Sequence, residues 1–520
     1  MEQSSYLLEK ATPFSESVFW DINRRYYEEQ GIEAWRQGIV PLHLTSNAFV
    51  GKTYANLIFS FLKDLGQQGA TEETVYLLEL GAGHGRLAFH ILFQLEALLE
   101  ESILDIPPYC YILSDIAEDS LQFFLDHPQL QPFFQEGKLD CAFFDALENE
   151  EIQLRKSQKT IKKGELSQPL ITIANYFFDS IPNDLYYLYN GDLSTCSISL
   201  TTPQDPDKMD ASELLENMIP EYHYQGVKKV NYPHAIWNEI LTAYQGQLVQ
   251  THLFFPHRGM QCLHNLEGLS QRGMMVLSMD KGFHEIHDLE NEKAPELIAH
   301  GSCSIWVNYH ALSAYCEKRG GQSLLPDSST FNLELACLLF LPDAEKFEET
   351  KATYQSCVND FGPDDFNRIK KFIYKNAQEL SLQDLIAFLR LSAYDSTFFI
   401  RLLPQIKLMA QRISHNERQR LGETIHKVWN GYYNLGESLD LAYELGGMLY
   451  DLGYFEVALD YFGYSNQQLG VQADVLYNQA LCYYQLRKDG DFIKTLNTGK
   501  LMFPDHPKLA ELERLDLNSN

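Results

Sequence analysis

Twelve residues, VYLLELGAGHGR at 75–86, bring an acid and three glycines into a spacing that could do chemistry. An apolar run ends in Glu79, and Gly81, Gly83 and Gly85 follow at every second position. The run reads as a buried strand, and the amphipathic stretch 87–99 behind it as a helix, so the glycines sit in the sharp turn between them. There a side chain would fill ligand space or force a strained φ, whereas glycine lets the backbone come close to a nucleotide-like ligand. Other nucleotide sites and plain turns also use glycine clusters.

The spacing is G-x-G-x-G rather than the dinucleotide G-x-G-x-x-G. A pyrophosphate would use the helix N-terminus, but Glu79 would repel it and attract an ammonium group. S-adenosylmethionine (SAM), with its amino-acid end, sulfonium and uncharged ribose, suits that acid. E-x-G-x-G-x-G is the first motif of class I SAM-dependent methyltransferases. Two further apolar runs end in acids. YCYILSD ends in Asp115, which could accept both ribose hydroxyls or cap the following helix. LDCAFFDAL contains Asp145, placed either for the adenine amino group or in an exposed loop. A fourth strand at 170–174 leads into Asn175, Tyr176 and Asp179, candidates for the site where the methyl group is transferred.

These groups need an open parallel sheet with ligands at its strand ends, and the composition permits one. At 520 residues with 45% hydrophobic residues, two or three domains are expected. Lys plus Arg number 41 and Asp plus Glu 71, for a net charge of −30. That balance argues against nonspecific binding to nucleic acid or an anionic membrane and favours a basic protein segment as partner. The nine cysteines are scattered with no C-x-x-C pair, which fits reduced thiols in a cytoplasmic protein and no zinc site. No signal peptide or transmembrane run is recognisable.

Residues 15–65 read as helical, with Ser46 and Asn47 as candidate caps, and either cover a cofactor or simply pack. The polar stretch 148–168 reads as a solvated loop or frayed helix. An insertion is expected at about 191–272, with strands at SISLTT and VQTHLFFP and helices at DASELLENMIP and AIWNEILTAYQ. Its Tyr222, His223, Tyr224, Tyr232, His234, Trp237, His252 and His257 lack metal-ligand spacing, and no metal is expected. GMMVLSMD is the fifth strand and STFNLELACLLFL a last strand or strand pair. Beyond residue 342 only helical periodicity remains. Leu445, Gly446, Ala458 and Phe462 take the L-G and A-x-x-x-F positions of a tetratricopeptide (TPR) unit, and Ala480, Tyr483, Leu496 and Pro504 mark a second. Such a stack either docks a peptide or protein or supports the other domain.

Taken together, LLELGAGHGRLAFHIL, IANYFFDSIPNDLYYL, GMMVLSMDKG and HGSCSIWVNYHALSAYCEKRGG resemble, in order and spacing, the MidA-type methyltransferases, which include a mitochondrial complex I assembly factor. The resemblance implies a class I SAM-binding fold and protein methylation, on arginine for the mitochondrial member. It places Glu79, Gly81, Gly83 and Gly85 in the cofactor loop, and Asn175, Asp179 and Pro182 in the reaction-site motif A-N-E-x-x-D-A-x-P. The family's Glu after Asn is Tyr176 here. Its T-S-P-E motif is Thr45, Ser46, Asn47 and Ala48, so a second acid is absent. Holding a guanidinium calls for carboxylates, and these departures weaken an arginine acceptor. Tyr176 could stack on the acceptor, take a proton, or pack. His300, Asn308 and His310 fall where the family has polar residues near its groove.

The expected protein is therefore α/β: a class I methyltransferase (Rossmann-like) sheet with a helical N-terminal lid and an insertion, then an all-α TPR-like domain. The expected bounds are 1–70 for the lid, 71–345 for the methyltransferase domain and 346–520 for the repeats. The expected cofactor is SAM, held by Glu79, Gly81, Gly83, Gly85, Asp115 and Asp145, with Asn175, Tyr176 and Asp179 at the acceptor. The expected acceptor is a protein side chain. A noncatalytic adaptor and a small-molecule methyltransferase are the other readings.

Overall fold

The computed structural model describes residues 5–33, 44–297, 304–327 and 333–516, with 513–516 as backbone alone. The chain forms two compact units, Met1–Arg368 and Ile369–Asn520.

In chain order the first unit contains β1 (Tyr6–Pro13), α1 (Val18–Gln30), α2 (Ala48–Gln67), β2 (Val75–Glu79), α3 (Arg86–Glu100), β3 (Tyr109–Asp115), α4 (Glu118–Asp126), β4 (Leu139–Phe143) and β5 (Leu170–Ile173). There follow β6 (Asp184–Tyr189), β7 (Asp192–Thr202), α5 (Ala211–Asn217), β8 (Ile219–Val227), α6 (Ala235–Gln247), β9 (Gln250–Phe255), α7 (His257–Glu267) and β10 (Met274–Asp280). The unit closes with α8 (Tyr309–Lys318), β11 (Gln322–Leu324), β12 (Glu334–Phe340) and α9 (Glu348–Tyr354).

Seven strands make the central sheet in the order β11–β12–β10–β5–β2–β3–β4. All run parallel except β12, which is antiparallel to both neighbours. Every residue of β5, β10 and β12 is buried, which is why these strands read as near-continuous apolar runs instead of alternating ones. From β2 the chain winds outward through β3 and β4, and from β5 it winds the other way through β10. The switch point between β2 and β5 leaves a crevice at their carboxyl ends, where Glu79 and Asn175 lie. Helices α2 and α3 cross closely beside it. A Cβ at Gly51 of α2 would come within 2.3 Å of the His90 Cβ on α3, so only glycine fits that crossing.

A second, antiparallel sheet holds the insertion, with β7 as its spine. One edge of β7 pairs with β8 from Leu193 to Thr201; the other takes β6 at Asp192–Thr195 and β1 at Ser197–Thr202. β9 completes the sheet on β6. Phe14, Phe19, Trp20 and Tyr26 from the N-terminal segment pack with Leu185, Ile198, Leu200 and Leu214. This corrects two expectations. The N-terminal segment is not purely helical, since β1 precedes α1, and the insertion sheet starts at Asp184, not 191, and recruits β1. Neither β1 nor β8 buries one face cleanly, so neither shows alternation. The stretch 148–168 is likewise not simply loop or helix: Ile152–Gln153 pairs with Thr160–Ile161. The first unit also extends past 345. On α9 and its approach, Phe347 stacks on Phe61, Glu349 pairs with Lys63 at 2.6 Å, and Thr350 donates to Asp64 at 2.7 Å.

A helix α10 (Pro363–Asn376) carries the boundary. The second unit then continues as α11 (Leu382–Leu391), α12 (Ser396–Ala410), α13 (His415–Asn430), α14 (Leu441–Asp451), α15 (Phe455–Leu469), α16 (Ala473–Gln485), α17 (Asp489–Met502) and α18 (Pro507–Asp516). Side-chain hydrogen bonds between alternate helices (α13 with α15, α14 with α16, α16 with α18) recur at similar separations: Tyr461 with His426 at 35 residues, Asn478 to Tyr443 at 35, and Lys508 to Asp474 at 34. Ala458 and Ala480 are fully buried at helix crossings, and a Cβ on Gly446 would meet the Phe462 ring at 2.8 Å. Small residues at these positions let α14 and α15 approach.

Candidate cofactor and acceptor site

Gly81, Gly83 and Gly85 have φ of +61°, +59° and +71°, left-handed values that an L side chain resists. This is the local reason the sequence alternates glycine there. Leu80 N donates to Ile173 O at 2.9 Å and Ala82 N to Ser114 O at 2.8 Å, so the loop is tied to β5 and β3. Among the described residues a Cβ on Gly81 would meet nothing within 4 Å. No described residue therefore fills the space beside Gly81 at the switch point, as a ligand cradle requires.

Glu79 is buried, and its carboxylate accepts the Tyr111 hydroxyl at 2.9 Å. Burial pushes its pKa up to about 8; the Tyr111 hydrogen bond opposes the shift, and Asp115 adds to it. Asp115 accepts from Gly83 N and from Ala117 N, each at 2.9 Å. It thus pins the glycine loop and organises the turn into α4 at once, and burial outweighs these donors to lift it to about 6. Asp145 lies one strand further on. Its Oδ1 accepts from Leu147 N, and its Oδ2 pairs with Arg24 Nη1 of α1 at 2.5 Å. Sequence patterns missed Arg24 because its strand-end partner is 121 residues away.

At the end of β5 the Asn175 Oδ1 accepts the Tyr54 hydroxyl at 2.5 Å and Met279 N at 3.0 Å. Its Nδ2 is buried without a partner among the described residues. Tyr176 follows at φ +50°, a strained left-handed conformation, with its hydroxyl also buried and without a partner among the described residues. Burial, then Asp280 and Asp179, push that phenol well above its usual range. Asp179 is 4% exposed and accepts Ser180 Oγ at 2.8 Å; burial raises it to about 6. Asp280, fully buried at the end of β10, hydrogen bonds to Asp179 and is raised strongly by burial and then by that neighbour. Two buried carboxyls in contact repel each other as anions, which favours one proton held between them over two negative charges. Asp280 was legible as one more acid ending an apolar strand, the same signal that picks out Asp115.

Asn47 caps α2 by accepting Val50 N at 3.0 Å, and Thr45, Ser46 and Ala48 are buried around it. Asn308 caps α8 through Ala311 N at 2.9 Å, and His310 meets the Tyr244 hydroxyl at 2.8 Å. His300 lies outside the described residues. Within the insertion, His223 bonds Ser199, Tyr224 bonds His252, and Tyr232 bonds Asp184 and Tyr186. Among the described residues no cluster of three His, Cys, Asp or Glu side chains is arranged to hold a metal ion. A cleft of about 720 Å³ opens at the opposite end of the strands, beside Gly273, Phe340, Arg272 and Arg319, and touches none of the residues above. Among the described residues no helix is long and apolar enough to cross a membrane.

Residues 54–290, from Tyr54 through the glycine loop to beyond Asp280, match a family described as "Putative S-adenosyl-L-methionine-dependent methyltransferase". The cofactor of that family is SAM. Two crystal structures from Burkholderia thailandensis are also similar. One, of an uncharacterized protein, is 13% identical with a TM-score of 0.36; the other, bound to S-adenosyl-homocysteine, is 12% identical with a TM-score of 0.34. Each similarity covers 60% of this chain and 73% of the other. Intraflagellar transport protein 70A of Danio rerio is 31% identical over 138 residues, 25% of this chain and 21% of that protein. The chain thus spans about a fifth of the length of that curated relative.

Proposed function

We propose that the chain is a class I, MidA-type methyltransferase that transfers the methyl group of SAM to a protein side chain. The observation that carries this reading is the glycine loop itself: three left-handed glycines, the first of them, Gly81, beside space that no described residue fills, set between Glu79 and Asp115 at the switch point, within the span matched by the family. Glu79 would hold the ammonium of the cofactor, Asp115 the ribose hydroxyls and Asp145 the adenine amino group, and the loop backbone would lie against the ligand. When bound, SAM supplies an electrophilic methyl carbon. Asn175, Tyr176 and Asp179 orient the acceptor, the buried surroundings exclude water, and the Asp179–Asp280 pair can take up a proton at a carboxyl oxygen.

Charge supports a basic protein as the partner. Residues 369–520 hold 16 Lys and Arg against 18 Asp and Glu, leaving 25 against 53 in residues 1–368, so nearly all of the net −30 belongs to the unit with the glycine loop. The helical unit, TPR-like in its small residues and its spacing near 34, serves in this reading to dock the partner. Titration calorimetry with S-adenosylhomocysteine (SAH) tests the cofactor site. Binding that Gly83→Asp abolishes, with an unchanged circular dichroism spectrum, is expected, and no binding to the native protein overturns the reading. The absence of two family acids, at Tyr176 and Ala48, favours one second reading: a noncatalytic adaptor that binds SAM without transferring the methyl. A lysate supplied with radiolabelled SAM would then show no labelled protein.

A further inference from the structure

The hydrogen-bonding inventory at the acceptor end of the site says more about the acceptor than the charge does. Asn175 has its orientation fixed: its oxygen is used by Tyr54 and by Met279 N, so the group left over is the Nδ2 donor. The Tyr176 hydroxyl is the second group without a partner among the described residues, and it lies within electrostatic reach of Asp280 and Asp179. The backbone knits these residues together, since Tyr176 N donates to Met279 O at 3.3 Å, one residue before Asp280. The third component is the Asp179–Asp280 pair, an acidic hydrogen-bond acceptor; among the described residues Asp280 Oδ2 has no partner besides Asp179. The site thus offers two donors and one acidic acceptor, all shielded from water.

We propose that the acceptor is a neutral carboxamide, the side chain of glutamine or asparagine, whose nitrogen is methylated. This inference rests on the methyl-transfer reading above and narrows it. A carboxamide matches the inventory group by group. Its carbonyl oxygen accepts from Asn175 Nδ2 and the Tyr176 hydroxyl, and one of its N–H groups donates to the aspartate pair. A guanidinium or ammonium ion carries donors only and would set an N–H against Asn175 Nδ2, leaving a buried donor unsatisfied. A neutral imidazole must turn its one lone pair toward the methyl group and then has nothing for the two donors. A carboxylate would be repelled by the charged pair.

The step balances. A bond forms between the amide nitrogen and the methyl carbon of SAM, while the carbon–sulfur bond breaks and its electron pair stays on sulfur, giving neutral SAH. The displaced amide proton goes to the aspartate pair, which passes from one negative charge to none. The positive charge of the sulfonium and the negative charge of the pair disappear together, so no uncompensated charge is left in the buried site.

Two experiments test this, the first without turnover. The full chain carrying 3-fluorotyrosine in place of Tyr176 and saturated with SAH is followed by fluorine NMR during titration with N-methylpropionamide or N-methylguanidine. The amide is expected to shift the signal at a concentration at least about tenfold lower than the guanidinium; an equal or reversed preference overturns the proposal. Tyr176→Glu, which restores a second acid, should reverse the preference, read by displacement of each probe in calorimetry. Unchanged amide preference in that variant also counts against the proposal. In the second experiment, proteins labelled by the native enzyme and radioactive SAM are hydrolysed in acid. Release of labelled methylamine supports an amide acceptor, while methylarginine, methyllysine, methylhistidine or alkali-released methanol overturns it. Failure to bind SAH, or binding with no protein labelled, would instead remove the methyl-transfer reading on which the proposal stands.

Discussion

Replacing Glu79 with Gln should flatten the pH dependence of both stability and cofactor affinity. The carboxyl is buried, and burial pushes its pKa from the ordinary value of 4.5 up to about 8. A raised folded value means that folding takes up a proton, so the contribution of Glu79 to stability is complete below about pH 4.5 and declines as the pH rises toward 8. At about 1.4 kcal/mol per unit over that window, the loss amounts to about 5 kcal/mol. Gln cannot ionise and can still accept the Tyr111 hydroxyl through its amide oxygen. Urea denaturation at intervals from pH 5 to 8.5 should therefore give a native curve that falls relative to that of Glu79→Gln, with the difference levelling off above pH 8. Asp115, Asp179 and Asp280 are raised as well and tilt both curves together, so the difference isolates Glu79. The cofactor gives the complementary reading. An ammonium pairs with the ionised carboxylate, and at pH 7 a group of pKa 8 is ionised in about one molecule in eleven, which weakens the apparent affinity about tenfold. SAH should bind about tenfold tighter at pH 8.5 than at pH 7 to the native chain, with little change for the variant. Parallel curves for the two proteins in both measurements would refute the assignment of Glu79.

Arg24→Ala removes the contact with Asp145. Because the Arg24 side chain is 39% exposed, the loss should be about 0.5–1 kcal/mol by urea denaturation, smaller at high salt, with a weaker SAH affinity if α1 closes over the adenine end. Gly81→Ala should cost about 1–2 kcal/mol from backbone strain alone, since its methyl meets no atom of the described residues within 4 Å, yet it should impair SAH binding in calorimetry because that methyl enters the space proposed for the cofactor. Gly446→Ala drives a methyl into Phe462 and should lower the stability of the helical unit by about 1–3 kcal/mol, seen as an earlier loss of helical circular dichroism on urea denaturation.

What the sequence revealed were features with local causes. The glycine alternation exists because three alternate turn positions have positive φ, and it is legible wherever it occurs. Strands β2, β3, β4, β5 and β10 are apolar because both faces are covered, and the acids Glu79, Asp115 and Asp280 that close β2, β3 and β10 stand out against those runs. What stayed hidden depends on distant partners. The strand YLLEKATP has polar and apolar residues in no clear order, because its ladder with β7, not burial, holds it in place. The strand IPEYHYQGV is half-exposed along its length for the same reason. Arg24 and Tyr54 belong to the site only because the fold carries them 121 residues along the chain, to Asp145 and Asn175 respectively. The contact of Asp179 with Asp280 needs the turn after β5 brought beside the end of β10.

The pairing of β1 with β7 also sets an order of events during synthesis. Tyr6 lies opposite Thr202, so closing this ladder joins segments almost 200 residues apart. At ribosomal rates of about 5–20 residues per second, β1 waits roughly 10–40 s before its partner strand emerges. Helix α1 packs on that same sheet and can seat only afterwards. The arginine that meets Asp145 would therefore be among the last parts of the site to arrive. A nascent chain halted before residue 202 would carry the whole glycine loop yet lack the sheet that anchors α1.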